Sequence, residues 1–98
     1  MAITSTSVPQ DLTISGNTSR RIGIVAARWH ADIVDRLLDG ALSTLRVAGL
    51  EDHNLVIERV PGSYEIPVCV KAMALSQHVD AIIALGVVIR GDTAHFEY

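Results

Sequence analysis

The six residues Ile22-Gly-Ile-Val-Ala-Ala27 carry no polar side chain. A strand with one wet face alternates apolar and polar residues, so an unbroken apolar run predicts a strand covered on both faces, as in a parallel sheet layered between helices. That requirement narrows the chain to α/β architectures, in which helical crossovers both connect the strands and cover them.

The residues that follow supply the cover. Between Asp32 and Ala48, the apolar residues Ile33, Val34, Leu37, Leu38, Ala41, Leu42, Leu45 and Ala48 recur at spacings of three and four. Asp35, Arg36, Asp39 and Arg46 fall mostly elsewhere, which predicts an amphipathic helix. Gly49 stands where a helix ends in a left-handed turn. Gly40, inside the helix, costs up to ~1 kcal/mol relative to alanine, and close packing on the sheet would explain it. A second strand is expected from about Asn54 to Val60, where polar Asn54, Glu58 and Arg59 dilute the apolar signal as suits an edge strand. Pro61-Gly62 makes a turn into a second helix, with Pro67 in the first turn, where its missing N–H is not needed. Apolar Ile66, Val68, Cys69, Val70, Ala72, Met73 and Leu75 surround that helix broadly, so it is expected to be well covered. Residues 78–80 then lead into a third strand over Ala81–Leu85, and right-handed crossovers make all three strands parallel.

At 98 residues the chain suits one small domain. Residues 1–19 hold eight Ser or Thr and neither the basic start nor the apolar stretch of a signal peptide, so they read as a flexible arm ahead of a domain over 20–98. An apolar fraction of 49% and a mean hydropathy of +0.33 are high for a small monomer, which points to surface covered by other subunits. Lys and Arg are scattered singly apart from Arg20-Arg21, and the net charge is −3, so no basic stripe exists to follow a nucleic-acid backbone. No run approaches the ~18 apolar residues of a membrane span. The lone Cys69 excludes an intramolecular disulfide, fits a reducing cytoplasm and reads as core packing. His30, His53 and His78 lack metal-ligand spacing, and Asp92 with His95 offers too few donors, so no metal site is expected.

The chemistry-bearing residues share one position in the pattern. Arg28-Trp29-His30 follows the first strand, Pro61-Gly-Ser-Tyr-Glu65 the second, and Gly86-Val-Val-Ile-Arg-Gly-Asp-Thr-Ala-His95 the third. In an open parallel sheet these carboxyl ends line one crevice, where ligands bind. Trp29, the only tryptophan, is either a packed corner or a flat surface for a heteroaromatic ring. Ser63-Tyr64-Glu65, at the mouth of a helix, either cap it or bind a polyhydroxylated chain through free N–H groups and the carboxylate. Val87, Val88 and Ile89 read as ordinary strand residues, and Arg90 as an ion-pair or interface residue. Gly86 and Gly91 allow the main chain close to a ligand. Thr93 is placed to cap a helix beginning near Ala94, and Asp92 and Thr93 together suit an anion at that helix start. His95 is either structural or, with an ordinary pKa near 6.5, a proton carrier.

Two segments carry a resemblance. Gly86 to Tyr98 resembles the GxVIRGxTxHxxY signature of the lumazine synthase family, and Val60-Pro-Gly-Ser-Tyr-Glu-Ile-Pro67 resembles its VPGAxEIP element, with Ser63 where alanine is common. The resemblance covers about Arg21 to Tyr98. It implies a flavodoxin-like three-layer α/β/α sandwich with a parallel sheet, of which this chain holds the β-α-β-α-β part and the start of the next helix, incomplete at the carboxyl end. The implied activity is a transferase step of riboflavin biosynthesis in the cytoplasm. It condenses 5-amino-6-(D-ribitylamino)uracil with 3,4-dihydroxy-2-butanone 4-phosphate to give 6,7-dimethyl-8-ribityllumazine, phosphate and water, without cofactor or metal. Carried over residue by residue, Trp29 stacks on the pyrimidine, Ser63, Tyr64 and Glu65 contact the ribityl chain and ring, and Val87, Val88 and Ile89 offer main-chain contacts to the pyrimidine edge. Asp92 and Thr93 hold the four-carbon phosphate substrate, and His95 moves protons. The implied partners are further copies of the chain, as a pentamer or as assemblies of pentamers up to an icosahedral capsid, with a functional link to riboflavin synthase. The rival expectations are a non-catalytic scaffold that keeps a phosphate- or flavin-binding pocket, and a general flavodoxin-like nucleotide-binding domain.

Overall fold

The computed structural model describes residues 19–90. The strand β1 occupies Ile22–Ala27, and all six of its residues are buried, as the unbroken apolar run requires. It lies between β2, Leu55–Val60, and β3, Ala81–Leu85, in a parallel sheet of order β2-β1-β3. Ile22 stands opposite both Leu55 and Ala81, and the ladders run unslipped to Ala27 opposite Val60 and Ala26 opposite Leu85. The three carboxyl ends are therefore nearly level.

Successive side chains of β1 point to opposite faces, and each face has its own core. Ile22 and Ile24 pack with Leu45 and Leu50, together with Leu38 and Leu42 of the helix α1, Ala31–Val47. Val25 and Ala27 pack with Val60 and Met73, together with Ile66, Cys69 and Val70 of α2, Ile66–Ser76. The alternate path of the chain explains this arrangement. Going from β1 out to β2 and back across to β3 reverses the lateral direction, so two crossovers of the same hand place their helices on opposite faces. On the α2 face, Gly23 leaves room that a side chain would take from the Met73 sulfur.

The ends of α1 follow from local chemistry. Gly49 takes a left-handed φ of 102°, its N–H reaches Arg46 O, and Leu50 N–H reaches Leu45 O, each at 3.0 Å. This closes the last turn in a Schellman arrangement and folds Leu50 back beside Leu45 in the core. Pro67 lies in the first turn of α2, as expected. The opposite edge of the sheet is tied by Asp80, whose N–H donates to Arg21 O at 2.7 Å while its carboxylate accepts from Arg21 N–H at 2.8 Å.

One boundary is sharpened and two expectations are corrected. β2 begins at Leu55, because Asn54 ends a 3₁₀ turn and is buried as a polar brace. Its amide donates to Arg20 O at 2.9 Å and accepts from Glu51 N–H at 3.1 Å. Gly40 is exposed on α1, and among the described residues nothing beyond its own helix backbone lies within 4 Å of where a Cβ would sit, so close packing on the sheet does not account for it. Finally, α2 is not well covered. Met73 is its one buried residue, while Val68 and Leu75 are 76% and 71% exposed. A sheet touches one side of a helix, and the apolar circumference of α2 is wider than that side.

The Gly40 geometry predicts that Gly40→Ala stabilises the protein by about 0.5–1 kcal/mol, since alanine restricts the unfolded chain and meets nothing in the folded one. Denaturant unfolding should show the midpoint rising.

Candidate functional site

Because the strands end level, the segments that leave them meet. Two main-chain bonds join the segments just beyond the ladder, where Arg28 N–H donates to Val60 O at 2.7 Å and Trp29 N–H to Pro61 O at 2.9 Å. These bonds hold the Trp29 loop against the turn that follows β2. His30 then adopts a left-handed φ of 57°, which swings the chain out of the strand direction and into α1. Its carbonyl accepts from the N–H groups of both Ile33 and Val34 at 3.0 Å, starting the helix without a side-chain cap.

A second tie comes from Arg59 on β2. Its guanidinium donates to Ala26 O at 3.2 Å, to Ala27 O at 3.0 Å and to the Asp35 carboxylate at 3.0 Å. One planar, multi-donor group thus joins the end of β1, the first turns of α1 and β2. The loop that carries Trp29 is stretched between these anchors.

After β2, residues 63–65 form a 3₁₀ turn that leads directly into α2. The Glu65 carboxylate accepts from Gly62 N–H at 3.0 Å, so one of its oxygens is engaged in closing the turn. Ser63 Oγ donates to Val87 O at 3.1 Å, linking this turn to the segment after β3.

The three segments enclose a cleft of about 440 Å³. Trp29 and His30 form one wall, Pro61 to Glu65 the second, and Val87, Val88 and Ile89 the third. Its volume falls within the ~300–1,000 Å³ common for small-molecule sites. Among the described residues the Trp29 side chain is 67% exposed and meets the His30 ring edge-on, with centroids 5.8 Å apart. Tyr64, Val88 and Ile89 are also largely exposed. Among the described residues, no hydrogen-bond partner is found for the main-chain N–H and C=O groups of Val88 and Ile89.

Trp29, Ser63, Tyr64, Glu65, Val87, Val88 and Ile89 were expected from sequence to share a site, and the structure brings them to one cleft. Asp92, Thr93 and His95 lie outside the described residues, as do Gly91, the helix expected near Ala94 and residues 1–18 of the expected arm. His30 stands with Trp29 in one wall of the cleft, as expected of the Arg28-Trp29-His30 cluster, although no ligand role was assigned to it from sequence. At Gly86 a Cβ would stand 2.5 Å from Ser63 Oγ and 2.8 Å from Ile66 Cδ1, so any side chain there would displace these two as they now lie.

A parallel sheet with a helix on each face is the arrangement of a flavodoxin-like α/β fold, and its carboxyl edge is where such folds open into a cleft. Residues 19–98 match the family model for 6,7-dimethyl-8-ribityllumazine synthase. The 6,7-dimethyl-8-ribityllumazine synthase of Pseudarthrobacter chlorophenolicus is 55% identical over 78 residues, covering 80% of this chain and 46% of that protein. The protein of the same name from Parabacteroides distasonis is 48% identical over 77 residues, covering 79% and 48%. That from Streptomyces coelicolor is 44% identical over 88 residues, covering 90% and 53%. The chain therefore belongs to the 6,7-dimethyl-8-ribityllumazine synthase family. It spans about half the length of the curated relatives it matches.

The Arg59 anchor predicts that Arg59→Leu costs about 1–3 kcal/mol, because two strand-end carbonyls and a carboxylate lose their donor. Arg59→Lys should recover only part of this in denaturant unfolding, since an ammonium cannot span all three acceptors.

Proposed function

We propose that the protein catalyses the condensation of 5-amino-6-(D-ribitylamino)uracil with 3,4-dihydroxy-2-butanone 4-phosphate, yielding 6,7-dimethyl-8-ribityllumazine, phosphate and water. The observation that carries this reading is the meeting of Trp29, the Ser63–Glu65 turn and Val87–Ile89 in one cleft, in a chain of this family. The exposed indole offers a flat apolar face for a pyrimidine ring. The main-chain groups of Val88 and Ile89, without partners among the described residues, suit the alternating donors and acceptors of a uracil edge. The turn that carries Ser63, Tyr64 and Glu65 supplies polar groups to the ribityl hydroxyls.

In this reading Asp92 and Thr93 hold the phosphate of the four-carbon substrate through main-chain N–H groups and the threonine hydroxyl, and His95 moves protons. The amine attacks the ketone to give an imine with loss of water, phosphate is eliminated, and closure of the second ring releases water again. Holding two substrates in alignment can supply as much as ~7–11 kcal/mol of the acceleration. Residues 20–98 form the domain that does this, preceded by the arm 1–19. The same reading includes a homo-oligomer, a pentamer or an assembly of pentamers such as a closed capsid. The exposed apolar face of α2 at Val68 and Leu75 is of the kind that subunit contacts cover. A cytoplasmic location and a functional link to riboflavin synthase complete it.

The test is to mix both substrates with the assembled protein and follow lumazine fluorescence together with phosphate release. Product and phosphate should appear in equal amounts, and an assembled protein that makes neither overturns the reading. Trp29→Ala should raise KM for the pyrimidine by roughly 3- to 10-fold, the size of a lost aromatic stack. His95→Ala should lower kcat by roughly 10²- to 10⁴-fold while pyrimidine binding is retained.

A further inference from the structure

We infer that Ser63 is a positioning residue whose hydroxyl latches the segment after β3 and sets the direction from which its main chain meets a bound ring. This rests on the reading that a pyrimidine occupies the cleft. Ser63 was assigned above to the ligand by resemblance, but its Oγ–H is directed instead to Val87 O at 3.1 Å. That bond crosses from the turn after β2 to the segment after β3, so it joins two of the three walls.

The neighbouring glycine shows that the contact is built in. A Cβ at Gly86 would come within 2.5 Å of Ser63 Oγ and 3.2 Å of Ser63 Cβ. With any side chain at 86, the Ser63 hydroxyl would have to leave the position from which it reaches the next carbonyl. The segment it grips has left the sheet, since β3 ends at Leu85. Val88 and Ile89, beyond the latch, are 47% and 48% exposed, and their peptide groups have no hydrogen-bond partner among the described residues.

The consequence follows from peptide geometry. Val87 C=O and Val88 N–H belong to one planar trans unit and point in opposite directions. Holding the carbonyl toward Ser63 therefore fixes the direction of the Val88 N–H, which the ladder no longer controls. Without the hydroxyl, that peptide plane is free to turn, and a ligand must order it on binding. Such a loss weakens ground state and transition state alike, so it falls on KM and leaves kcat far less changed.

Ser63→Ala deletes the hydroxyl and nothing else. The experiment uses the assembled protein and compares it with the Ser63→Ala variant by hydrogen exchange at Val88 and Ile89. Titration with 5-amino-6-(D-ribitylamino)uracil, read by quenching of Trp29 fluorescence, and steady-state kinetics complete the comparison. The latch predicts faster exchange at Val88 with unchanged exchange in β1, and pyrimidine affinity and KM worsened by roughly 3- to 10-fold, the value of one net hydrogen bond. Unchanged exchange at Val88 while the parent protein still binds the pyrimidine overturns the latch alone. Faster exchange with unchanged affinity reduces Ser63 to a structural residue and overturns its positioning role. Failure of the parent protein to bind the pyrimidine overturns the functional reading, and the positioning role with it.

Discussion

Every residue of β1 is buried, so this strand needs a partner on each edge and a layer on each face. β2 and β3 satisfy the edges, and α1 and α2 satisfy the faces through two separate cores. The same requirement determines where chemistry can occur. Helices occupy both faces, so a ligand can approach the sheet only along its ends, and the carboxyl end is where the connections open into loops. The cleft at Trp29, Ser63 and Val87 is in this sense the place left over once β1 has been covered.

The elements and their order were legible because hydrophobic periodicity is a direct record of burial. The apolar run of β1, the spacing of α1 and the turn at Pro61-Gly62 each correspond to an observed feature. The meeting of distant segments in a cleft was also legible, since it needs only the direction of the strands. What sequence could not show was which neighbour each residue meets. The apolar circumference of α2 suggested complete cover, yet Val68 and Leu75 face outward, because composition records how much of a helix is apolar and not how wide its partner is. Gly40 suggested tight packing and has open space around it, whereas Gly86 suggested backbone freedom and is crowded by side chains. The Ser63 to Val87 bond spans 24 residues and has no local signature. Asn54 was assigned to a strand because an isolated polar residue gives no warning that both ends of its amide will be used.

The site itself depends heavily on main chain. Two of its walls are held by N–H and C=O groups, through the Arg28 and Trp29 amides on one side and the Val87 carbonyl on the other. Side chains act mainly as braces, with Arg59 gripping the end of β1 and Glu65 closing the turn before α2. In the function proposed above, such a design separates two tasks: the backbone presents its edge to the pyrimidine ring, while Trp29, His30 and Tyr64 line the cleft around it.

The level register of the three strands carries a consequence for how this protein can change over evolutionary time. A residue inserted in or deleted from one strand would move its exit by about 3.3 Å and turn its inward side chains outward. The three walls would then no longer face one another, however well the rest of the sheet refolded. Length variation is therefore expected to collect away from the strand exits, in places such as the 3₁₀ turn before β2 at the opposite end of the sheet, while the spacings from Ile22 to Trp29, Leu55 to Glu65 and Ala81 to Ile89 behave as fixed rulers.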